Sequence, residues 1–481
     1  MTPFNKSKYI EMQSKKILEH VGRFSRVYLE FGGKMFNEFH GSRVFPGFDL
    51  DTKVEMLGTI RDRCEVILTI LAEDIERSRY RPDVGLTYED ELLVLVEKFK
   101  KFGIHVNSVV VNKYAGQVSV DAYKQRLESL GISVHIFNKI EGYTTNIDRV
   151  LSPEGYGSNP FIKTTKDIVI ITAPGAGSGK MAVALSQLYN EMQQGNKNVG
   201  FAKFETFPVW NLPLNHPVNI AYEAATINVG DFNVIDNFHF EKYGEVAISY
   251  NRDIQSFPLL QTMLRRMYGE DVYHSPTDMG VNMAKFAIED EEAVLKSARM
   301  EILRRYLVAR VDYKKGRINQ KALDRITGLF AQVELDVNER SVLVAATQRK
   351  EKTGKESGSI ELLTGEVIST SGSEKLSTSC KLLLKTLQTL IGVNTKIKVL
   401  SDAILEKVQE LKKNMGEQGA QIMLDDVLLI LASSSLSNEL AHHAMQKISA
   451  IKGAEIHITT IIGEDELRAW RKLGVNLTMH A

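Results

Sequence analysis

The chain has 481 residues, and its 60 lysines and arginines balance its 60 aspartates and glutamates. This length allows about two to four domains, and a hydrophobic fraction of 43% is that of a globular protein rather than a disordered one. The balanced charge argues against a general nucleic-acid binder, because proteins that neutralise phosphates usually carry an excess of basic residues.

The two cysteines, Cys64 and Cys380, lie far apart and outside any metal-binding spacing. The sequence therefore predicts neither a disulfide framework nor a zinc site, and it favours a reducing compartment. The polar N-terminus lacks the apolar core of a signal peptide, and no apolar run approaches the ~20 residues that span a bilayer. We therefore expect a soluble, cytoplasmic protein that contacts no membrane.

Strands and helices alternate through the first half of the chain. Short apolar runs predict strands at 27–31, 66–71, 106–111, 134–137, 168–172 and 200–204. Helical periodicity predicts helices at 9–21, 51–61, 89–102, 120–130 and 181–194. This alternation is typical of parallel sheets, so we predict an α/β fold with a mainly parallel, Rossmann-like or P-loop-like sheet in residues 1–288.

The rest of the chain divides into a helical segment, 289–352, and a smaller α/β domain, 353–481. The polar, Gly/Ser-rich run KEKTGKESGS at 350–359 is typical of a linker or an exposed loop. After it we predict a hairpin that turns at Thr364 and Gly365. Further strands are predicted at 396–400, 427–431 and 455–461, and further helices at 376–390, 402–412, 437–451 and 464–473.

The sharpest motif is a glycine loop, APGAGSGKM at 173–181, which follows the predicted strand 168–172. Glycines allow close backbone approach, successive amides can point at an anion, and the N-terminus of the next helix adds partial positive charge. The residues that would contact a phosphate are Gly175, Gly177, Ser178, Gly179 and Lys180. The alternative is a tight turn that is rich in glycine only for packing.

This loop departs twice from the P-loop pattern GxxxxGK[ST]. Pro174 stands at the position of the first glycine, and Met181 replaces the Ser/Thr whose hydroxyl binds magnesium. A thioether is a poor ligand for a hard cation, so substrate phosphates and a carboxylate elsewhere would have to hold any magnesium. A nucleotide, with or without magnesium, is therefore the candidate cofactor.

A second glycine-lysine turn, Gly33-Lys34, follows the predicted strand 27–31 and precedes Arg43. Two such turns in one parallel sheet could meet at its carboxyl edge, where ligands of α/β proteins bind. A GGK sequence is also common in ordinary turns. Because the chain is balanced in charge, any basic character must be local, which suits a small anionic ligand. The residues concerned are Lys34, Arg43, Lys180 and Arg252.

Polar groups set among aromatic residues mark the region 203–253. Pro208, Pro213 and Pro217 fall within ten residues and stiffen a loop that carries binding groups. These groups are Glu205, Trp210, Asn211, Asn215 and His216. Further along, Asp236 ends an apolar run, His239 follows it, and Asp253 follows another strand-like run.

Four of these residues are candidate catalytic residues. Asp236 or Asp253 would position a metal or a nucleophile, and His216 or His239 would act as acid or base near neutral pH. Three of them have a structural alternative: His216 as a partner of the backbone, His239 as a core histidine, and Asp253 as a charge at a helix N-terminus. Their spacing matches no known metal site, so the sequence assigns no metal ligands.

Five segments spread over nearly the whole chain are long enough to indicate a family. They are YLEFGGKMFNEFHGSRVFPGFD (28–49), TAPGAGSGKMAVALSQLYNE (172–191), KFETFPVWNLPLNHPVNIAYEAAT (203–226), YHSPTDMGVNM (273–283) and KLGVNLT (472–478). In these segments the chain resembles an uncharacterised family of bacterial proteins of about this length with a domain of unknown function. The resemblance implies an α/β N-terminal part, a helical insertion and a smaller C-terminal α/β domain.

The resemblance also implies that the methionine after GSGK belongs to the family's own version of the loop, which favours a modified phosphate site. Where the family reads IDPFHL, this chain has IDNFHF at 235–240, so the Asp and the His are retained. We expect a protein that binds a nucleotide or another phosphorylated small molecule and could transfer a phosphoryl or other group. The alternative is a non-catalytic metabolite-binding or oligomeric assembly protein with a structural glycine loop.

Overall fold

The computed structural model describes residues 2–81, 85–204, 208–280, 282–394, 396–417 and 421–481. The chain forms two compact units, Met1–Glu301 and Ile302–Ala481. No helix formed by these described residues is both long and apolar enough to cross a membrane.

Strands and helices alternate along most of the first unit. Its strands are β1 (Arg26–Phe31), β2 (Cys64–Leu71), β3 (Tyr80–Arg81), β4 (Leu86–Thr87), β5 (His105–Tyr114), β6 (Ser133–Asn138), β7 (Ile168–Thr172), β8 (Val199–Phe204), β9 (Asn233–Ile235) and β10 (Ile248–Tyr250). Its helices are α1 (Lys6–Val21), α2 (Phe39–Val44), α3 (Thr52–Gly58), α4 (Ala72–Glu76), α5 (Tyr88–Lys101), α6 (Val118–Ser129), α7 (Ile147–Val150), α8 (Lys180–Gln193), α9 (Pro217–Thr226), α10 (Asn237–Tyr243), α11 (Asn251–Tyr268), α12 (Pro276–Met279) and α13 (Glu291–Lys314), which continues into the second unit.

A parallel sheet forms the centre of the first unit. Within the described part of the chain, six strands pair in the order β6-β5-β2-β7-β1-β8, all in parallel. The prediction of an α/β fold with a mainly parallel sheet is confirmed. β2 is almost wholly apolar and buried, as expected for a strand with both faces covered. Because β7 lies between β2 and β1, the glycine loop leaves the sheet among the ends of its central strands.

The two faces of this sheet enter separate apolar clusters. Val27, Leu29 and Phe31 of β1 pack on one side, while Tyr28 of the same strand packs on the other side with Leu188 of α8. This division follows from the alternation of side chains along a strand. Since apolar side chains bury both faces, polar loops concentrate at the strand ends.

The second unit contains a smaller mixed sheet. Its strands are β11 (Ser357–Glu361), β12 (Val367–Ser371), β13 (Glu455–Ile458) and β14 (Asn476–Met479). Its helices are α14 (Gln320–Gln332), α15 (Ser341–Thr353), α16 (Thr378–Leu390), α17 (Asp402–Asn414), α18 (Leu424–Ser434), α19 (Glu439–Lys447) and α20 (Glu464–Lys472). The sheet order is β12-β11-β13-β14, with β13 and β14 parallel and the other pairs antiparallel. The hairpin of β11 and β12 turns where the sequence predicted it, with Gly365 at a φ of 83°.

Two strands predicted for this unit were wrong. Residues 427–431 lie inside α18, and residues 396–400, all described, form no strand. A short apolar run fits a buried helix as well as a strand. Asp425 and Asp426 in the first turn of α18 favour the helix, because negative charge is stabilising at a helix N-terminus.

Candidate functional site

The glycine loop connects β7 to α8 through residues 173–179. Gly177 and Gly179 have φ angles of 75° and 81°, in the left-handed region that residues with a side chain rarely adopt. Ser178 is buried, and its hydroxyl donates to the carbonyl of Gly175 across the turn at 2.8 Å. The chain therefore turns tightly before Lys180 begins α8.

Three side chains from neighbouring elements hold the loop from behind. The hydroxyl of Thr69 on β2 and the amide of Asn112 on β5 donate to the carbonyl of Ser178, at 3.2 and 2.9 Å. Arg81 on β3 donates to the carbonyl of Pro174. None of these three side chains was singled out from the sequence. Because they engage loop carbonyls, the loop keeps its shape without a ligand.

Packing explains two of the three glycines. A Cβ at Gly175 would collide with the ring of Tyr88, and a Cβ at Gly179 would lie 2.8 Å from the side-chain nitrogen of Asn112. A Cβ at Gly177 would meet no described atom within 4 Å, so only its positive φ calls for glycine there. Gly177 therefore marks the open side of the loop.

The backbone amides on this open side are left without acceptors. Among the described residues, the N–H groups of Gly175, Ala176, Gly177, Gly179, Lys180 and Met181 donate to no protein acceptor. The amine of the half-buried Lys180 has no hydrogen-bond or ion-pair partner in that part of the chain either. Since the N-terminus of α8 also carries partial positive charge, donors and positive charge collect at the end of β7.

The side chain of Met181 belongs to the core. It packs against the apolar cluster between the parallel sheet and α8. Where a P-loop has a magnesium-binding hydroxyl, this chain thus places an apolar group that is already used in packing.

The second glycine-lysine turn follows β1, the neighbour of β7. Gly33 has a φ of 67°, and a Cβ there would lie 3.2 Å from the amine of buried Lys53. Lys53 pairs with buried Glu38 at 2.8 Å. Burial raises the pKa of Glu38, but the charges of Lys53, His40 and Lys34 outweigh burial and hold that pKa below its ordinary value. The charge of the exposed Lys34 therefore already interacts with the buried carboxylate of Glu38.

Arg43 on α2 is also engaged within the protein. Its guanidinium lies 3.9 Å from the carboxylate of Glu301 and 5.7 Å from the ring centre of Phe39. Glu301 is fully buried and also lies 3.1 Å from Nδ1 of His40. These contacts connect Arg43 to a buried carboxylate rather than to the glycine loop.

A carboxylate that the sequence analysis missed lies beside the glycine loop. The register pairs Glu30, the penultimate residue of β1, with Ile171 of β7 and with Lys203 of β8. Paired residues point to the same face, so Glu30 lies between the ends of β7 and β8. One of its carboxylate oxygens is buried and has no hydrogen-bond partner in the described structure. A single acid in the apolar run VYLEF was the available sequence signal.

Asp253 lies at the same edge of the sheet. It stands in the first turn of α11 and pairs with Lys203 at 2.6 Å, one residue before the end of β8. β8 is two strands away from β7, a separation of roughly 10 Å. The neighbouring Arg252 pairs instead with Asp231.

Asp236 lies outside the parallel sheet. It follows β9, which pairs only with β10 among the described strands, and it is fully buried. One oxygen accepts the backbone N–H of His239 at 3.1 Å and so caps α10. The other accepts the backbone N–H and the hydroxyl of Thr277, at 3.1 and 2.6 Å. The carboxylate therefore joins α10 to α12.

The two histidines have different surroundings. Nδ1 of His239 lies 3.0 Å from the hydroxyl of Ser275 and 3.6 Å from a carboxylate oxygen of Asp278. Ser275 and Asp278 form the capping box of α12, so His239 packs on a helix cap. Nδ1 of His216 accepts the backbone N–H of Val218 at 3.2 Å and caps α9. Burial lowers the pKa of His216 below its ordinary value.

The proline-rich loop is fastened by its polar groups. Nε1 of Trp210 donates to the carbonyl of Asn282 at 3.0 Å, and Lys285 donates to the carbonyl of Asn211 at 2.7 Å. Glu205 lies outside the described residues. In the part of the chain that the structure describes, no group of three or more His, Cys, Asp or Glu side chains is placed to hold a metal ion.

Comparison with known proteins identifies relatives along the whole chain. The family model "Domain of unknown function DUF1846, N-terminal" matches residues 2–334, and "Domain of unknown function DUF1846, C-terminal" matches residues 338–481. Both the change of model and the boundary of the compact units fall inside the predicted helical segment 289–352.

Bacterial relatives match over almost their full length. A UPF0371 protein of Streptococcus thermophilus (strain CNRZ 1066) is 42% identical over 477 residues, which cover 99% of this chain and 96% of the relative. A UPF0371 protein of Clostridium tetani (strain Massachusetts / E88) is 41% identical over 485 residues, with the same coverage. The chain therefore belongs to the DUF1846 family, known as UPF0371 in these relatives, and the family resemblance seen in its sequence is confirmed.

Proposed function

We propose that the first unit binds a phosphorylated small molecule at the carboxyl edge of its parallel sheet, with a phosphate on the glycine loop. The observation that carries this proposal is the run of amides from Gly175 to Met181, of which all but that of Ser178 have no acceptor in the described residues. Successive amides at a helix N-terminus are well suited to hold an anion. The amine of Lys180, which has no partner there either, supplies a full positive charge.

The rigidity of the loop supports the same proposal. Thr69, Asn112 and Arg81 hold its carbonyls from behind, so the amides face outward before a ligand arrives. A site that is already formed loses less conformational entropy on binding. The phosphate therefore needs no rearrangement of the backbone.

The remainder of the ligand would lie over the ends of β1 and β8. Glu30 and the pair of Lys203 and Asp253 supply acid and base groups there, at the same level of the sheet as the end of β7. A nucleotide fits this arrangement, since its polar groups can reach two strands away from its phosphates. Any magnesium would be held by the phosphates and by Glu30, because Met181 is a poor ligand for a hard cation.

Group transfer is the second function that we propose, and it rests on Glu30. A buried carboxylate oxygen without a partner in the described structure can accept a proton from an attacking hydroxyl or bind a metal. Asp236 is less suited to this role, because hydrogen bonds engage both of its oxygens. Asp253 lies at the same edge of the sheet and would orient an acceptor, whereas His216 and His239 are engaged at helix caps.

The alternative is a metabolite-binding or assembly protein that performs no chemistry. The packing of Gly175 against Tyr88 and of Gly179 against Asn112 supports this alternative, because a purely structural turn would also need both glycines. A group-transfer enzyme converts the compound that it binds, whereas a metabolite-binding protein releases it unchanged. If the glycine loop is only a structural turn, it binds no compound.

Thermal denaturation of the full chain tests the phosphate site. ATP, GTP, sugar phosphates and inorganic phosphate are added singly, each with and without magnesium. A ligand at about 100 times its dissociation constant contributes roughly 2.7 kcal/mol and raises the transition temperature measurably. Lys180→Ala should abolish the shift, whereas Lys197→Ala, at an exposed residue of the same unit, should preserve it.

The outcomes separate the three interpretations. If no phosphorylated compound shifts the transition, or if Lys180→Ala and Lys197→Ala respond alike, the glycine loop is not a phosphate site. If a ligand binds but is recovered unchanged after incubation with candidate acceptors, the protein binds without catalysis. If it is converted and Glu30→Gln stops conversion while retaining binding, Glu30 takes part in group transfer.

A further inference from the structure

The sheet of the second unit has a free edge between two helices. β12 is its edge strand, and Ser369 and Ser371 turn their main-chain groups away from β11. The side chains of Ser357 and Ser371 face α15, whereas Gly358 faces α16. Side chains from both helices can therefore reach around this edge.

Two cations contact the edge strand, and two more are near enough for the four charges to interact. Arg349 lies on α15, Lys355 follows that helix, and Lys381 and Lys385 lie on successive turns of α16. The amine of Lys385 donates to the outward carbonyl of Ser369 at 2.8 Å. We call Arg349, Lys355, Lys381 and Lys385, with Ser369 and Ser371, the β12 edge site.

The cations of the β12 edge site repel one another. Burial lowers the pKa of Lys381, and the charges of Lys355, Arg349 and Lys385 lower it further. Burial and the charge of Arg349 likewise lower the pKa of Lys385. Lys381 is also close to the positive N-terminal end of α16. Glu356, which follows Lys355 in the chain, is paired with another lysine, Lys350.

Hydrogen-bond donors at this edge are available to a ligand. Nε of Arg349 donates to the hydroxyl of Ser371 at 3.3 Å, but its two Nη groups and the amine of Lys381 have no partner among the described residues. The hydroxyl of Ser371 lies 3.1 Å from that of Thr353 and 2.9 Å from that of Ser357. This network fixes the guanidinium, whose free side can bind two oxygens of one anion.

We propose that the β12 edge site binds a small, multiply charged anion such as a phosphomonoester, independently of the glycine loop. Such an anion would cancel the repulsion among the four cations and pair with their free donors. Addition of a peptide strand to β12 fits less well, because Lys385 already occupies the carbonyl of Ser369 that a new strand would need.

Isothermal titration calorimetry of the full chain tests this site. A Lys180→Ala background removes the glycine-loop lysine, and the probes are inorganic phosphate, pyrophosphate and glucose 6-phosphate, so that a free anion and a phosphomonoester are compared. Lys381→Gln with Lys385→Gln should weaken binding of the best probe at least tenfold. The matched control, Lys375→Gln with Lys407→Gln, removes the same charge at exposed lysines that pair with Glu406 and Glu410, and it should bind as the background does.

A second measurement separates a ligand site from a structural one. Without an anion and at low salt, the Lys381→Gln, Lys385→Gln chain should melt at the same temperature as the background or higher, because repulsion is relieved. The proposal is overturned if no probe binds to the background, if the double variant binds its probe as tightly as the control, or if the double variant melts several degrees lower. The last result would mean that the lysines serve the fold by capping the edge of β12.

Discussion

Alanine substitutions at the three loop glycines should have three different consequences. At Gly177 an added methyl group meets no described atom within 4 Å, so the fold bears only the cost of a positive φ. At Gly179 the same cost is joined by a contact of 2.8 Å with the side-chain nitrogen of Asn112. At Gly175 the φ is ordinary, but the methyl group collides with the ring of Tyr88.

The expected magnitudes follow from these contacts. A left-handed φ costs alanine roughly 1–2 kcal/mol, and the smaller entropy of the unfolded chain returns part of this, so Gly177→Ala should cost about 1 kcal/mol. Gly179→Ala should cost about 2–3 kcal/mol, because Asn112 must also give up its 2.9 Å hydrogen bond to Ser178. Gly175→Ala is a case of overpacking and should cost about 1–3 kcal/mol.

Urea denaturation can measure these costs in the first unit alone. The chain has two tryptophans, Trp210 in the first unit and Trp470 in the second. A Trp470→Phe background leaves Trp210 as the fluorescent reporter, and the change breaks no hydrogen bond because the indole N–H of Trp470 has no partner in the described structure. Each glycine variant is compared with this background. The comparison requires that the slope of the free energy of unfolding against urea concentration be the same in both proteins.

The affinity for phosphate should also distinguish the glycine variants from one another. Gly177→Ala should weaken binding at least tenfold although it costs the least stability, because its methyl group projects from the open side of the loop. Equal losses of stability for Gly177→Ala and Gly179→Ala would refute the packing argument. Unchanged binding in Gly177→Ala would refute the assignment of the open side as the ligand face.

Three further predictions concern buried polar groups. Arg340→Met should lower the free energy of unfolding of the second unit by about 3–5 kcal/mol in urea, because Arg340 is buried and donates to acceptors that include the carboxylate of Glu455. Asp236→Ala should cost about 1–2 kcal/mol through loss of its cap and its bonds to Thr277, while calorimetry should find phosphate binding retained. Burial lowers the pKa of His457 to about 3, so this residue's contribution to stability is complete above the unfolded pKa of 6.5 and is lost as the pH falls towards 3. In urea titrations between these pH values, the stability gap between the parent and His457→Gln should shrink by up to about 1.4 kcal/mol per pH unit.

Each of these predictions has its own control. Arg468→Met removes an exposed partner of Asp465 and should change stability by less than about 1 kcal/mol, so an equal effect of Arg340→Met would contradict the argument from burial. Loss of phosphate binding in Asp236→Ala would mean that Asp236 belongs to the ligand site. A constant gap between the parent and His457→Gln at all pH values would mean that His457 is protonated alike in the folded and unfolded chains.

Local patterns in the sequence determined the general architecture. Apolar runs separated by helical periodicity predicted the parallel sheet, since period and length distinguish most strands from helices. The glycine loop was visible because positive φ angles and close packing require particular residues at particular positions, as at Gly175 and Gly179. The pattern failed at 427–431, where an apolar run alone fits both a buried helix and a strand.

Only the tertiary structure decided which residues surround the loop. Thr69 and Asn112 reach Ser178 from 109 and 66 residues away in sequence, and no local pattern encodes such contacts. The order and register of the strands place Glu30 between the ends of β7 and β8, although the sequence shows only one acid in an apolar strand. The same packing engages Asp236 as a cap, because buried polar groups must find hydrogen-bond partners. The sequence thus determined where the glycine loop lies, and the pairing of distant strands decided which side chains surround it.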